Sequence, residues 1–324
     1  MKRFIKIILK KIFKPALSKY YFILNKLDRL EKIEKYQTSI MSVLSINNPI
    51  TKFPPAHGTL RKIQLAKANV LFAFDRFCKE NGLKYWLHAG THLGSVRHGG
   101  FIPWDDDIDV AMMREDFDQF IKIVSGMPQD GRIQYHWCKG ILKIKYIEND
   151  FVLDAVDIFP FHQYYKRTNT VEGNQLKNLI GKYINSNYYL KNYYWGGGKG
   201  WDNAFYDTPT EIKIIREIIM ENKNPTEDGD IFEIHFDKHI FRYEWIFPLS
   251  TMSFERRELS VPNNSNSTLE SQFGDFMMYP PDMYNAHGSV SNDLRNNWRN
   301  YEKLDVFLSM DSNAIYDFMT GAKR

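Results

Sequence analysis

The sequence predicts an α+β protein, with helices and strands interleaved along one chain. Two observations carry this. Ile63, Ala66, Val70, Phe74 and Phe77 recur at helical spacing within Thr59–Glu80. Three strand-like runs, 133–137, 141–147 and 151–159, then follow in quick succession.

The elements read in order as follows. Asn81-Gly82 stops the first helix. Tyr85–Ala89 is a short strand that Gly90 ends, and a brief helical turn carries Thr91–His98. His98-Gly99-Gly100 is a turn, and Pro103 opens an extended segment through Met112. Arg114–Val124 is a helix with Phe117, Phe120, Ile121 and Val124 on one side, ended by Gly126 and Pro128. After the three strands, 183–207 is rich in Tyr, Trp, Asn and Gly and reads as irregular and exposed. Pro209–Met220 reads as a helix, and 231–237 and 241–261 as extended. Asn263–Thr268 is a polar loop before a short helix, Leu269–Phe273. No internal repeat is present.

The chain has 324 residues, 43% hydrophobic and 15% aromatic, enough for a sizeable core. Two cysteines, Cys78 and Cys138, argue against a disulfide framework or a zinc site and fit a reducing compartment. The first twenty residues hold seven Lys or Arg and no acid, so the remainder carries 36 basic and 39 acidic residues. A chain basic only at one end has no nucleic-acid footprint. No apolar stretch approaches the ~18 residues of a spanning helix. Lys6, Lys10 and Lys11 interrupt the apolar N-terminus, which makes it a poor signal peptide.

That N-terminus has its own pattern. Phe4, Ile5, Ile8, Leu9, Ile12, Phe13, Ala16 and Leu17 share one helical face, with Lys2, Arg3, Lys6, Lys10 and Lys14 on the other. This fits an amphipathic helix lying on an anionic membrane surface, or a helix docked on the protein's own core. The domain reading is a basic helix and stalk over 1–44, a linker over 45–58, and a catalytic domain over 59–324.

The most informative residues are Asp105, Asp106, Asp107 and Asp109, four acids within Phe101–Asp109. Such a cluster repels itself unless a cation or proton sits in it. If 103–112 is extended, alternation puts Asp105, Asp107 and Asp109 on one face, about 7 Å apart, with Asp106 on the other. Oxygen ligands of this kind suit Mg2+ or Mn2+. Asp107 and Asp109 are the better pair, with Asp105 as a helper. Asp157, in Val156-Asp157-Ile158-Phe159-Pro160, is either a third acid of the site or a structural ion pair. Asp154 has the opposite strand parity and is the weaker choice.

Gly90, Thr91, Gly94, Ser95 and Arg97 fit a phosphate-binding turn, since glycine admits backbone amides and arginine supplies a planar fork. His92 and His98 contact phosphate or are exposed turn histidines. Trp104 stacks on a base or packs beside Pro103. Lys143 and Lys145 reach a phosphate or are exposed strand lysines. The 183–207 segment, with Trp195, cradles a sugar or is a loop without that role.

Tyr85–Thr91, Gly94–His98, Gly100–Val110 and Asp157–Pro160 together resemble the LicD family of phosphotransferases, which includes the fukutin-like proteins. Phe247-Pro248-Leu249, Phe254-Glu255, Val261-Pro262, Phe273-Gly274-Asp275 and Pro280-Pro281 form a second resembling block within 246–283. Arg256 stands where the family often has glycine. The resemblance implies a nucleotidyltransferase-like mixed sheet flanked by helices. It implies transfer of a substituted phosphate, such as phosphocholine, from a CDP-linked donor to a sugar hydroxyl of a glycan or lipid-linked glycan. Carried over by position, Asp107 and Asp109 are metal ligands, Asp157 is the third acid, and Gly90, Thr91, Gly94, Ser95 and Arg97 line the donor-phosphate pocket with His98 beside them. The expected location is peripheral, on the cytoplasmic face of the plasma membrane.

Overall fold

The structure, a computed structural model, describes residues 49–127, 131–138, 141–148, 151–164, 192–195, 230–233, 240–279 and 307–321, with Lys26, Arg29 and Asp305 as single positions. The N-terminal amphipathic helix and the helix expected at 209–220 lie outside the described residues. The chain divides into two compact units, 1–52 with 277–283, and 53–276 with 284–324. In the first, Ile50–Lys52 forms a 3-10 turn closed by a Lys52 N–H to Pro49 carbonyl bond of 2.9 Å. Everything below concerns the second.

Its elements, in chain order, begin with α1 (Gly58–Glu80), β1 (Trp86–Leu87), α2 (Ala89–His98), β2 (Asp109–Met113) and α3 (Arg114–Gly126). Then come β3 (Ile133–Cys138), β4 (Ile141–Glu148), β5 (Phe151–Tyr164), β6 (Asn192–Trp195), β7 (Asp230–Glu233) and β8 (Ile240–Arg242). The last are α4 (Tyr243–Ile246), β9 (Ser250–Phe254), β10 (Arg257–Val261), α5 (Ser265–Phe273) and α6 (Ser312–Thr320).

The main sheet runs β1-β2-β5-β4-β3-β6, with β7 on β5 and β8 on β7. β2 and β5 are parallel; the other pairs are antiparallel. The expected mixed α+β sheet is therefore present. Strand alternation divides its side chains between two cores. Val110, Met112, Leu142, Ile144, Val156 and Ile158 pack with Val70, Phe74, Phe77, Phe117, Phe120 and Ile315 of α1, α3 and α6. Ala111, Met113, Ile141, Phe159 and Phe161 face the other way, with Trp86, Phe241 and Ile246.

Four boundaries differ from expectation. The extended run at 103–112 is a strand only from Asp109; residues 101–108 are loop and turn. The run at 241–261 is broken by α4 and by a hairpin, β9–β10, whose turn residues Glu255 and Arg256 have φ of 48° and 67°. That left-handed conformation suits the glycine often found at the Arg256 position in the resembling family. Within the supposedly irregular 183–207, residues 192–195 form β6 against β3, because β3 would otherwise leave an unpaired edge. The polar loop at 263–268 is mostly helix: Asn264 caps α5, accepting the Ser267 N–H at 3.0 Å.

Candidate active site

The acid-bearing loop is fastened at several backbone groups. Asp105 N–H donates to the Ile102 carbonyl at 2.9 Å, and Gln64 Nε2 of α1 donates to the Asp105 carbonyl at 2.7 Å. Asp106 N–H donates to Asp105 Oδ1 at 3.0 Å. Asp109 N–H donates to Thr91 Oγ1 at 2.8 Å, and His88 N–H to the Asp109 carbonyl at 3.0 Å. Asp157 N–H donates to the Ile108 carbonyl at 2.8 Å. The acids converge because a pinned loop folds them together, and strand alternation over 103–108 has no part in it.

Asp109 and Asp157 are register partners on the parallel pair. Asp157 is in turn the register partner of Lys143 on β4, and Lys143 of His136 on β3. One transverse row therefore carries Asp109, Asp157, Lys143 and His136 on the face shared with Ala111 and Phe159. Burial, then the charges of Asp107, Asp157 and Asp105, push the Asp109 carboxyl well up. Asp105 is pushed well up by burial and by Asp107, which is both a neighbouring charge and a hydrogen-bond partner. Burial also raises Asp157, against the opposing ammonium of Lys143, with which it forms a salt bridge. Burial works against charge on Lys143 too, but Asp157 more than offsets it and its pKa is raised.

A β-bulge changes the parity argument at Asp154. Ile144 pairs with Val156 but Lys145 pairs with Asp154, leaving Ala155 as the extra residue. Asp154 therefore shares the face of Asp157, contrary to simple alternation, and pairs with Lys145 at 2.8 Å.

The glycine-bearing segment is a ten-residue helix, longer than the expected turn. At its start, Ala89 has φ 44°, and a Cβ on Gly90 would lie 2.9 Å from Asp105 Oδ2. Gly90 and Thr91 thus stand against the acids. The loop from Gly100 then runs back along the helix: a Cβ on Gly94 would meet the Gly100 carbonyl oxygen at 2.4 Å. Gly94 serves this close approach. Ser95 Oγ donates to the His92 carbonyl at 2.7 Å and is buried.

Arg97 and His98 stand at the far end of α2, about 10 Å along the axis from Gly90. Burial brings the buried Arg97 guanidinium down to about 10, with Asp275 opposing. Burial and Arg97 bring His98 down to about 4. Its ring lies 6.4 Å from that of Trp104, which meets Phe53 edge-on at 5.4 Å. Among the described residues neither His98 ring nitrogen has a hydrogen-bond partner. His92 is not an exposed turn residue. It is buried, 2.9 Å from Ser265 Oγ, and burial brings it down to about 3. Trp195 lies on β6.

The oxygen-only donor set of Asp105, Asp107 and Asp109, with mutual repulsion to relieve, fits a hard divalent cation. Among the described residues no three His, Cys, Asp or Glu side chains stand as a ready-made ligand cage. His136 and Glu255 were not singled out from the sequence. Pairing 133–138 with 141–148 across a tight turn would have aligned His136 with Lys143.

A mixed sheet with acids at adjacent positions of its parallel pair, faced by a glycine-bearing helix start, is the arrangement of a nucleotidyltransferase-type fold. Residues 82–189 match the family model described as LicD/FKTN/FKRP, nucleotidyltransferase domain. It is 46% identical over 65 residues to the lipopolysaccharide cholinephosphotransferase LicD of Haemophilus influenzae, covering 20% of this chain and 24% of that protein. It is 35% identical over 88 residues to the ribitol 5-phosphate transferase FKRP of Mus musculus, covering 25% of this chain and 17% of that one. The Homo sapiens FKRP is 34% identical over 88 residues, with the same coverage. The matches span about a sixth to a quarter of the length of these relatives.

Proposed function

We propose that this protein transfers a substituted phosphate, phosphocholine or a polyol phosphate, from a CDP-linked donor to a sugar hydroxyl of a cell-surface glycan. The observation that carries the reading is the pinned acid loop beside the Asp109–Asp157 register pair, within the segment that matches the family. The phosphocholine and ribitol phosphate named for its relatives support the substrate class.

Asp107 and Asp109 would hold a magnesium or manganese ion, with Asp105 as a helper. Such an ion, when bound, offsets the charge of the donor phosphates. Asp157, held by Lys143, orients the attacking hydroxyl and accepts its proton. Lys143 and Lys145 supply positive charge beside the transferred phosphate. The Gly90 and Thr91 end of α2 approaches the donor phosphates, and Arg97, His98 and Trp104 frame its other end. The one-sided basic face of residues 2–14 supports attachment to an anionic membrane surface on the cytoplasmic side, where a lipid-linked acceptor is presented.

The test is a panel of CDP-linked donors with purified protein, reading CMP release and acceptor mass. Transfer should require a divalent cation and fall at least a thousandfold in Asp107→Ala and Asp109→Ala. Full activity in either variant defeats the mechanism. An acceptor that gains the mass of a nucleotide would instead identify a nucleoside monophosphate transferase.

A further inference from the structure

The Glu255 side chain reaches across from the β9–β10 turn into the segment that leads to the acids. Arg61 of α1 grips its carboxylate with both terminal nitrogens, at 2.8 Å to Oε1 and 2.6 Å to Oε2. The same Oε1 accepts the Phe101 N–H at 3.2 Å, and Glu255 N–H donates to the Gly99 carbonyl at 2.8 Å. A Cβ on Gly100 would lie 2.4 Å from Oε1, so the carboxylate lies flat against the loop backbone. The Glu255 side chain is 12% exposed and that of Arg61 is 26% exposed, which leaves the bidentate pair only partly screened by water. One turn further along α1, Gln64 holds the carbonyls of Ile102 and Asp105.

We propose that Glu255 is a positioning residue for the metal-binding loop. It fixes Gly99–Phe101, and Gln64 fixes Ile102–Asp105, so the loop reaches Asp105 and Asp107 with its path already set. Three features argue for a dedicated clamp. The contact joins residues 194 positions apart. It engages backbone groups on either side of Gly100, the Gly99 carbonyl and the Phe101 N–H. It also requires Glu255 itself to hold φ 48°, a conformation seldom adopted by a residue with a long side chain. Glu255 touches no substrate in this reading and acts through the loop. The proposal rests on the reading of Asp105, Asp107 and Asp109 as the cation-binding acids.

Two variants approach the clamp from opposite elements. Glu255→Asn keeps a residue that tolerates the left-handed turn but is too short to reach Arg61. Arg61→Gln removes the fork from α1. Amide hydrogen exchange of the full chain in chelator should accelerate at least tenfold at Phe101, Asp105 and Asp106 in both. Amides of β4 and β5 should keep wild-type rates. Mn2+ affinity, measured by counting free Mn2+ with electron paramagnetic resonance, should fall about tenfold. The double variant should be no worse than either single one, since both break the same contact. Unchanged exchange at 101–106 overturns the proposal. So does acceleration spread evenly over β4 and β5, which would mark Glu255 as a general stability element. Local acceleration with unchanged Mn2+ affinity overturns the positioning role. If the wild-type protein binds no Mn2+, the metal reading fails by itself, and the exchange pattern still decides whether the clamp orders the loop.

Discussion

Asp109→Asn should stabilise the metal-free protein while abolishing its chemistry. Asp109 and Asp157 are register partners on adjacent strands, which places their carboxylates about 5 Å apart. At an effective dielectric of about 20, two like charges at that distance repel by about 3 kcal/mol. Lys143 stands one strand beyond Asp157, about 10 Å from Asp109, and returns about half of that. The amide keeps the side chain's shape and removes the charge, so from this pair alone the variant should gain about 1–2 kcal/mol, and the charges of Asp107 and Asp105 act in the same direction. In a chain of 324 residues that gain is a rise in melting temperature of about 1.5–3 °C. The sign of the pH dependence follows from the raised Asp109 carboxyl. Above 3.8 the unfolded carboxyl loses its proton while the folded one retains it, so the gap between variant and wild type opens as pH rises from 3.8 and is complete above the raised value. It closes as pH falls toward the ordinary value of 3.8. Scanning calorimetry in chelator from pH 4.5 to 8.5 measures this. Adding Mg2+ should raise the wild-type melting temperature and leave the variant's nearly unchanged. A variant that melts below wild type at pH 8, or a gap that does not vary with pH, refutes the reasoning.

Three further outcomes are expected. Gly94→Ala gains about 0.5–1 kcal/mol of helix propensity, but its Cβ would meet the Gly100 carbonyl oxygen at 2.4 Å and the Ile102 nitrogen at 3.1 Å. Overpacking against backbone costs about 1–3 kcal/mol, so the urea midpoint should fall, whereas Gly126→Ala, with nothing within 4 Å, should leave it unchanged or higher. Lys143→Met strips Asp157 of its ammonium partner; for this half-buried pair the loss should be about 2–3 kcal/mol at pH 8, shrinking as Asp157 protonates in acid. His92, brought down to about 3, stays neutral in the folded protein while the unfolded chain protonates near 6.5. Stability therefore falls from pH 6.5 toward 3, by up to about 1.4 kcal/mol per pH unit; His92→Gln should lose that share of the slope, and identical slopes in both proteins would contradict it.

The helices and the central strands were legible because their apolar spacing matches the period of the element. Val70, Phe74 and Phe77 could lie on one face only in a helix. The mutual approach of the acids was legible, but the sequence suggested the wrong cause. Alternation was extended into 103–108, where the backbone is held by Gln64, Thr91 and Ile102 instead. Local pattern carries no record of a hydrogen bond from α1. Asp154 was set aside by the same arithmetic, which the bulge at Ala155 defeats. The β9–β10 turn was hidden because Glu255-Arg256 carries none of the glycine or asparagine that usually marks left-handed backbone. Glu255 itself has meaning only through Arg61 and Phe101, and neither is a sequence neighbour.

That clamp also orders events in time. During synthesis the chain emerges from its N-terminal end, so Arg61, the acid loop and the Asp157 strand leave the ribosome long before residue 255. Until then the loop has Gln64 and Thr91 but lacks its second fastening. An unfinished or truncated polypeptide therefore carries Asp105, Asp107, Asp109 and Asp157 without the Glu255 fastening of the loop that leads to them.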